Sequence, residues 1–448
     1  MTAQKALRPL AARRAGPLRG TAGVPGDKSV SHRALILGAL AVGETKITGL
    51  LEAEDVLGTA QAMRRFGAEA SRDPDGTWHV WGVGTGGFAE PDGVLDFGNS
   101  GTGARLAMGA MATTPISAIF TGDESLRRRP MKRVLEPLSK FGVEWRTRDG
   151  GLMPVALKGA SHPVCIDIEL VVASAQVKSA LLLAALNAAG QTRISQGALT
   201  RDHTERMLKS FGADIIVEPH KDGETISLMG EANLKPAAVN VPRDPSSAAF
   251  PLVAALIVPE SEISIPSVLL NLRRTGLLET LKEMGAEISI SNRRESGGEE
   301  TGDLRVRHSS LKAADISPAR APSMIDEYPV LAVAAAFAEG RTTLRGLEEL
   351  RQKESDRLVA IAAGLRACGV TVEELPDGLI IEGRGADGVR GVACIETQMD
   401  HRIAMAFLVA GLAARESITI DDASMIATSF PGFEATMQAL GAEWLEPK

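Results

Sequence analysis

Six stretches of this chain share one hydrophobic pattern, a short polar cluster followed by a longer run of small and aliphatic residues. They read GDKSVSHRALILGAL (26–40), GNSGTGARLAMGAMA (98–112), ASAQVKSALLLAALNA (173–188), RDPSSAAFPLVAALIV (243–258), SMIDEYPVLAVAAAFA (323–338) and QMDHRIAMAFLVAGLAA (398–414). Each run is apolar on every side, so each predicts a helix enclosed by protein rather than one with a solvent face. A segment of β-branched alternation follows each of them (ETKITGL, SAIFTGD, QTRISQG, SEISIPS, RTTLRGL, ESITIDD) and predicts a strand that can keep one face wet.

A third marker recurs in step. Amphipathic helices end in an apolar residue, then glycine, then Ala or Val: Phe66-Gly67-Ala68, Phe141-Gly142-Val143, Phe211-Gly212-Ala213, Met284-Gly285-Ala286, Cys368-Gly369-Val370 and Leu440-Gly441-Ala442. The glycines are spaced by 75, 70, 73, 84 and 72 residues, and glycine closes a helix in the left-handed conformation at little steric cost. The pattern predicts six repeats of a two-helix, four-strand unit, three per lobe, with sheets outside and helices within, in a two-lobed inside-out α/β barrel. Units this long exceed the roughly 20–50 residues of a stacked solenoid repeat. The extended segment NVPRDP marks the break between lobes near Asn240, and Pro251 predicts a kink or late start in the fourth helix.

Composition narrows the possible partners. With 49 basic against 56 acidic residues the formal net charge is −7, and aromatic content is 4%, which together disfavour nucleic acid and anionic membrane. The longest apolar stretches, such as 404–414, fall short of the ~20 residues of a membrane span, so a soluble, cytoplasmic protein is expected. Cys165, Cys368 and Cys394 lack metal-ligand spacing and read as buried thiols, and neither metal nor cofactor is expected. The N-terminal residues, with Lys5, Arg8, Arg13, Arg14 and Arg19 and no acid, read as a basic, partly ordered tail.

The candidate chemistry lies at the polar helix starts, where unpaired backbone N–H groups and about half a positive charge favour anions. Around Gly26–Ser29 the pattern is not a nucleotide phosphate loop, because Asp27 separates Gly26 from Lys28 and puts a negative charge where phosphate would sit. Near the starts stand Lys28, Ser29 and Arg33; Asn99, Gly101 and Thr102; Ser174, Gln176 and Lys178; Asp244 and Ser246; Asp326 and Glu327; Asp400 and Arg402. Ser29 and Arg33 share a helix face. The amphipathic helices add Arg129 before Pro130, Arg201 before Asp202, and Lys353, Glu354 and Arg357 around one helical turn. Simpler roles also fit: Ser29, Ser174, Asp244 and Asp326 as plain helix caps, Arg127–Arg129 as a solvated basic run, Lys353 and Arg357 as partners of Glu354 and Asp356, and His32 and His401 as structural histidines.

GDKS (26–29), RRPM (128–131), SAQVK (174–178), RDHTE (201–205), IDEYP (325–329), KESDR (353–357) and DHR (400–402) together closely resemble the 5-enolpyruvylshikimate-3-phosphate synthase family, class II branch, and the resemblance runs from about Leu18 to Pro447. It implies a first lobe of residues 24–240, a second of 1–23 plus 241–448, and an active site in the cleft between them. The implied reaction moves the enolpyruvyl group of phosphoenolpyruvate to the 5-hydroxyl of shikimate 3-phosphate, releasing phosphate. By resemblance Ser29, Arg33, Ser174, Gln176, Arg201, Asp326 and Lys353 hold shikimate 3-phosphate, and Lys28, Gly101, Arg129, Arg357 and Arg402 hold phosphoenolpyruvate, with Gln176 close to both and Ala175 a further substrate-binding residue. Catalytic roles are expected for Asp326, Glu354 and Lys28. Glyphosate is the expected inhibitor, with sensitivity set at Gly101, and a monomer is expected.

Two departures stand out. Asn271-Leu272-Arg273-Arg274 replaces the usual Asn-x-Thr-Arg, and Thr428 stands where many members outside this branch carry lysine. The same architecture and donor also suit a UDP-N-acetylglucosamine enolpyruvyl transferase, but the stretch Thr121–Arg129 lacks the cysteine that family relies on. An RNA terminal phosphate cyclase would need nucleic-acid contacts that charge and aromatic content disfavour. A non-catalytic repeat scaffold leaves the basic helix starts unexplained.

Overall fold

Asp27 opens the first buried helix: its backbone is extended (φ −62°, ψ 126°) and its carboxylate accepts the Val30 N–H at 2.8 Å, satisfying an amide the helix cannot. The negative charge that breaks the phosphate-loop pattern is therefore a cap. In the computed structural model, which describes residues 7–171, 174–221, 223–296 and 298–446, the six apolar runs form helices α1 (Lys28–Leu40), α2 (Gly101–Met111), α3 (Ala175–Ala185), α4 (Pro245–Ile257), α5 (Tyr328–Phe337) and α6 (His401–Gly411). Ser100, Ser174, Asp244 and Asp400 cap α2, α3, α4 and α6. Two expected caps are corrected. Ser29 lies inside α1, because Asp27 has already taken the cap position, and Asp326 precedes Glu327, which flanks α5 without a side-chain capping bond.

The helices are enclosed as their composition demands. Every residue of α4 is buried, and a fully buried Val, Leu, Ile or Phe contributes about 1.5–3 kcal/mol. Contrary to the expectation of a late start, α4 begins at Pro245 and runs on through Pro251. Glycines 67, 142, 212, 285, 369 and 441 all have positive φ, from 82° to 115°, which is the backbone state for which glycine was singled out at these turns.

Among the described residues the strands form six four-stranded sheets. Each sheet combines one parallel pair with antiparallel neighbours. In one of them Asp167–Leu170 runs parallel to Gln191–Gln196, which pairs antiparallel with Gly223–Met229, itself antiparallel to Ile215–His220. The N-terminal segment is less of a tail than expected. Leu10–Ala12 lies between Ile418–Ile420 and Trp444–Leu445, and Arg19–Thr21 runs parallel to Glu262–Leu269; Lys5 lies outside the described residues.

Two compact units result. One holds Gly26–Pro242 with Glu295–Glu299, and its core is built on α1, α2 and α3; the other holds the chain up to Pro25, Arg243–Arg294 and the chain from Glu300, with a core on α4, α5 and α6. The borders fall two residues beyond positions 24 and 241, and Glu295–Glu299 group with the first unit. Cys165 and Cys394 are exposed and only Cys368 is buried, correcting the reading of three buried thiols. Among the described residues no helix is long and apolar enough to cross a membrane.

Within the first unit α2 and α3 touch through backbone. A Cβ at Gly109 would sit 2.3 Å from the Ala180 carbonyl oxygen and 2.5 Å from its Cα. At Gly58, inside the outer helix Glu54–Arg65, a Cβ meets nothing within 4 Å. We expect Gly109→Ala to destabilise this unit by about 1–3 kcal/mol and Gly58→Ala to leave it unchanged or raise it by about 0.5–1 kcal/mol. Urea unfolding followed by tryptophan fluorescence checks both, since Trp78, Trp81 and Trp145 lie in this unit.

Candidate active site

Lys28 is the first residue of α1, and its ammonium pairs with Asp55 of the outer helix Glu54–Arg65, a carboxylate only 5% exposed. Arg33 lies one turn further along and is buried. It donates from Nε to Thr204 Oγ1 (2.6 Å), from Nη1 to the Ser29 carbonyl (2.9 Å) and from Nη2 to Ser179 Oγ (2.8 Å). Ser29 and Arg33 thus meet as expected from their spacing, through the Ser29 backbone.

At the start of α2 the guanidinium of Arg129 donates from Nη2 to Asn99 Oδ1 (2.5 Å) and Ser125 Oγ (3.0 Å). Asn99 in turn donates to Asp123 Oδ2 at 2.6 Å. Arg129 does not open the amphipathic helix, which begins at Lys132; it ends the short helix Glu124–Arg128. Gly101 is the first residue of α2, and a Cβ there would lie 2.7 Å from Arg105 Nη1 and 3.2 Å from Arg129 Nη1. Ser174 caps α3, Ala175 is its first residue, and Gln176 bridges to α2, accepting from Arg105 Nη1 (2.9 Å) and donating to Thr102 Oγ1 (2.9 Å). Arg201 is half-buried and immediately precedes Asp202, which flanks the helix His203–Ser210. Lys178, by contrast, is turned inward: it is fully buried against Glu205 (2.5 Å) and Glu224 (3.4 Å), where the pairing offsets the cost of burying its charge.

In the other unit the polar groups converge on one guanidinium. Arg357, 1% exposed, donates from Nε to Asp400 Oδ2 (2.8 Å), from Nη1 to Asp326 Oδ1 (3.2 Å) and from Nη2 to Glu354 Oε2 (2.6 Å). Burial works against its charge, but Asp400, Glu354 and Asp326 outweigh that and hold its pKa above the ordinary arginine value. Arg402 donates to the Asp326 carbonyl at 3.1 Å and lies 3.9 Å from Glu327 Oε1. Glu327 accepts from Ser246 Oγ, which also accepts from the buried Arg274 at 3.0 Å. Lys353 and Glu354 do not share a helical turn with Arg357. The helix begins only at Arg357, capped by Asp356, and Lys353 pairs with Glu349 at 2.8 Å. Lys353 thus keeps a local partner, though Glu349 rather than Glu354 or Asp356, whereas Arg357 keeps Glu354 and adds the distant Asp326 and Asp400.

Several residues that complete these clusters escaped the sequence reading, among them Asp55, Arg105, Ser179 and, as a cap, Asp27. Asp55 and Arg105 sit on helices at positions that amphipathic spacing leaves unmarked, and only the fold reveals their partners. At Thr428, where many members of the resembling family carry lysine, the buried hydroxyl donates to the Met425 carbonyl at 2.7 Å.

His32 is fully buried between α1 and its neighbours. Its Nδ1 lies 2.8 Å from Thr59 Oγ1 and its Nε2 3.5 Å from Ser100 Oγ. Burial pushes its pKa well below 6.5, with the charges of Lys28 and Arg33 adding to the shift against a smaller opposing effect of Asp27. A histidine depressed in the folded state favours folding above its unfolded pKa, and that stability is lost as pH falls below it. We expect the folding free energy of this unit to decline as pH drops below about 6.5, and His32→Gln to flatten that decline. Urea unfolding across pH 4.5–7.5 measures it, and an unchanged slope in the variant would refute the assignment.

The family model described as EPSP synthase (3-phosphoshikimate 1-carboxyvinyltransferase) matches residues 12–437. A 3-phosphoshikimate 1-carboxyvinyltransferase of Cereibacter sphaeroides is 59% identical over 443 residues, covering 99% of each chain, and one of Parvibaculum lavamentivorans is 59% identical over 437 residues, covering 97% of each. The solved EPSP synthase of Acinetobacter baumannii superposes with a TM-score of 0.86 at 41% identity, covering 98% of this chain and all of that one. The enolpyruvyl transferase NikO of Streptomyces tendae, at 19% identity and a TM-score of 0.78 over 98% and 99% of the two chains, shares the fold. Matched along nearly its whole length by sequence and by structure, the chain belongs to the EPSP synthase family.

Proposed function

We propose that this chain is a 3-phosphoshikimate 1-carboxyvinyltransferase, and that its two polar clusters serve one pair of substrates. The observation that carries this reading is that Asp326 and Glu354, the two expected proton carriers, are both held by the single buried guanidinium of Arg357. A carboxylate fixed by a charged donor keeps its orientation toward the reacting atoms. Two phosphates and two carboxylates bring about −6 to the site, and Lys28, Arg33, Arg129, Arg201, Lys353, Arg357 and Arg402 supply the opposing charge. Arginine meets planar carboxylate and phosphate oxygens with two donors, which lysine cannot.

In this reading Ser29, Arg33, Ser174, Ala175, Gln176, Arg201, Asp326 and Lys353 hold shikimate 3-phosphate. Lys28, Gly101, Arg129, Arg357 and Arg402 hold phosphoenolpyruvate. Asp326 takes the proton of the attacking 5-hydroxyl and passes it on to the departing phosphate, Glu354 acting as the acid delivers a proton to the methylene carbon and later takes one back from the methyl group, and Lys28 polarises the departing phosphate. All these residues come from one chain, so the reading requires no partner, and a monomer working in the cytoplasm is sufficient. The fold supports a finer reading as well: six four-stranded sheets with the same mix of pairings, each accompanied by one buried helix, fit six copies of one unit, three to a lobe.

Phosphate release from phosphoenolpyruvate that depends on shikimate 3-phosphate is the expected activity. Glu354→Gln is expected to lower turnover by about 10²–10⁴-fold with shikimate 3-phosphate binding nearly intact, and retained turnover would remove Glu354 from the chemistry. Glyphosate is the proposed inhibitor, and Gly101→Ala is expected to weaken it, because the added methyl occupies space beside Arg105 and Arg129; equal inhibition of both proteins would refute the steric argument.

A further inference from the structure

Gln176 is a side chain with two unlike ends, an acceptor oxygen and a donor NH₂, of nearly equal size, so its shape alone does not determine which way it faces. In this protein the choice is made by Arg105. A guanidinium has donors only, so Arg105 Nη1, 2.9 Å from the amide, compels the oxygen of Gln176 to face it. The NH₂ then faces α2 and donates to Thr102 Oγ1 at 2.9 Å, which leaves it a second hydrogen for another acceptor. Arg105 itself is 3% exposed, with Nη1 also 3.3 Å from the Gly101 carbonyl one turn earlier on α2.

Two further features fit the same role. The guanidinium ends of Arg105 and Arg129 both lie against the bare Cα of Gly101, where any Cβ would come within 2.7 and 3.2 Å of them, so the glycine keeps the Arg105 position open. The helices bearing the contact, α2 and α3, pack through backbone at Gly109 and Ala180, so the distance between Arg105 and Gln176 is set by a rigid interface rather than by loops.

We propose that Arg105 is a positioning residue for enolpyruvyl transfer: it locks the Gln176 amide in one orientation, so that a donor rather than an acceptor is presented to the anionic substrates. The inference rests on the function proposed above, in which Gln176 contacts both substrates. An amide turned the other way would offer an oxygen to a phosphate or carboxylate, which repels it.

A double-mutant cycle with Arg105→Met, Gln176→Met and the pair tests this, reading kcat/KM for phosphoenolpyruvate beside the unfolding midpoint of each protein. If Arg105 acts through Gln176, Arg105→Met lowers kcat/KM by about 10–100-fold, and adding it to Gln176→Met causes little further loss. Arg105→Lys, which keeps a charged donor, is expected to recover part of the loss and also provides a folded variant should Arg105→Met unfold. Losses that multiply in the double variant, an Arg105→Met protein within twofold of the parent, or an Arg105→Lys protein no better than Arg105→Met would each overturn the proposal. Turnover by the parent chain reports separately on the reaction itself: an inactive parent overturns the proposed function, and this inference with it, whereas an active parent with multiplying losses overturns only the role of Arg105.

Discussion

Enclosing an apolar helix on all sides leaves its first turn with amides and charges that cannot be enclosed without partners, and most of what is distinctive in this molecule answers that constraint. Six helices are buried, and five of them start at a side chain that accepts one of their own N–H groups. Where a buried cation lies near such a start, on α1 and on the helix Arg357–Ala367, it is met by acceptors from distant parts of the chain. Arg33 reaches Thr204 and Ser179, and Arg357 reaches Asp400 and Asp326. A set of donors held in place by packing that the core already requires is the arrangement that the proposed binding of anions needs.

The countercharges also explain how an acidic protein can hold cations that are partly or wholly out of water. Lys28 has Asp55, Lys178 has Glu205 and Glu224, and Arg357 has three carboxylates. Removing water from a charge is costly, and an ion pair repays that cost only when geometry is good and the remaining hydrogen-bonding capacity is used. The Arg357 arrangement meets both conditions, since Nε and both terminal nitrogens are engaged. The resulting order is local and short-range, which suits chemistry in which protons must move between fixed oxygens.

Much of this was legible in the sequence, for a definite reason. Apolar runs, β-branched alternation and Gly-Ala turns are local signals, and the helices, the strands after them and the left-handed glycines stand where those signals put them. The residues bearing the motifs also lie at the element starts, as with Lys28, Gly101, Ser174 and Arg402. What escaped was set by geometry at single residues or by distant partners. Asp27 rather than Ser29 caps α1, because capping depends on which residue first leaves extended backbone. Lys353 and Glu354 fall outside the helix they were assigned to, because Asp356 is the residue in capping geometry. Arg105 and Asp55 meet Gln176 and Lys28 across sequence separations that no periodicity encodes.

The placement of Leu10–Ala12 bears on how the chain is made. This short strand occupies an inner position in its sheet, flanked by Ile418–Ile420 and by Trp444–Leu445, so nearly all of the polypeptide separates it from the strands that complete it. A ribosome delivers the chain in one direction, and domains generally fold as their sequence emerges. The unit of Gly26–Pro242 can therefore assemble early, whereas Leu10–Ala12 must wait, unpaired, until Ile418–Ile420 and Trp444–Leu445 have been made. A product that stops before Ile418 therefore lacks both neighbours of Leu10–Ala12 and leaves that strand with the unpaired edges on which chaperones and proteases act.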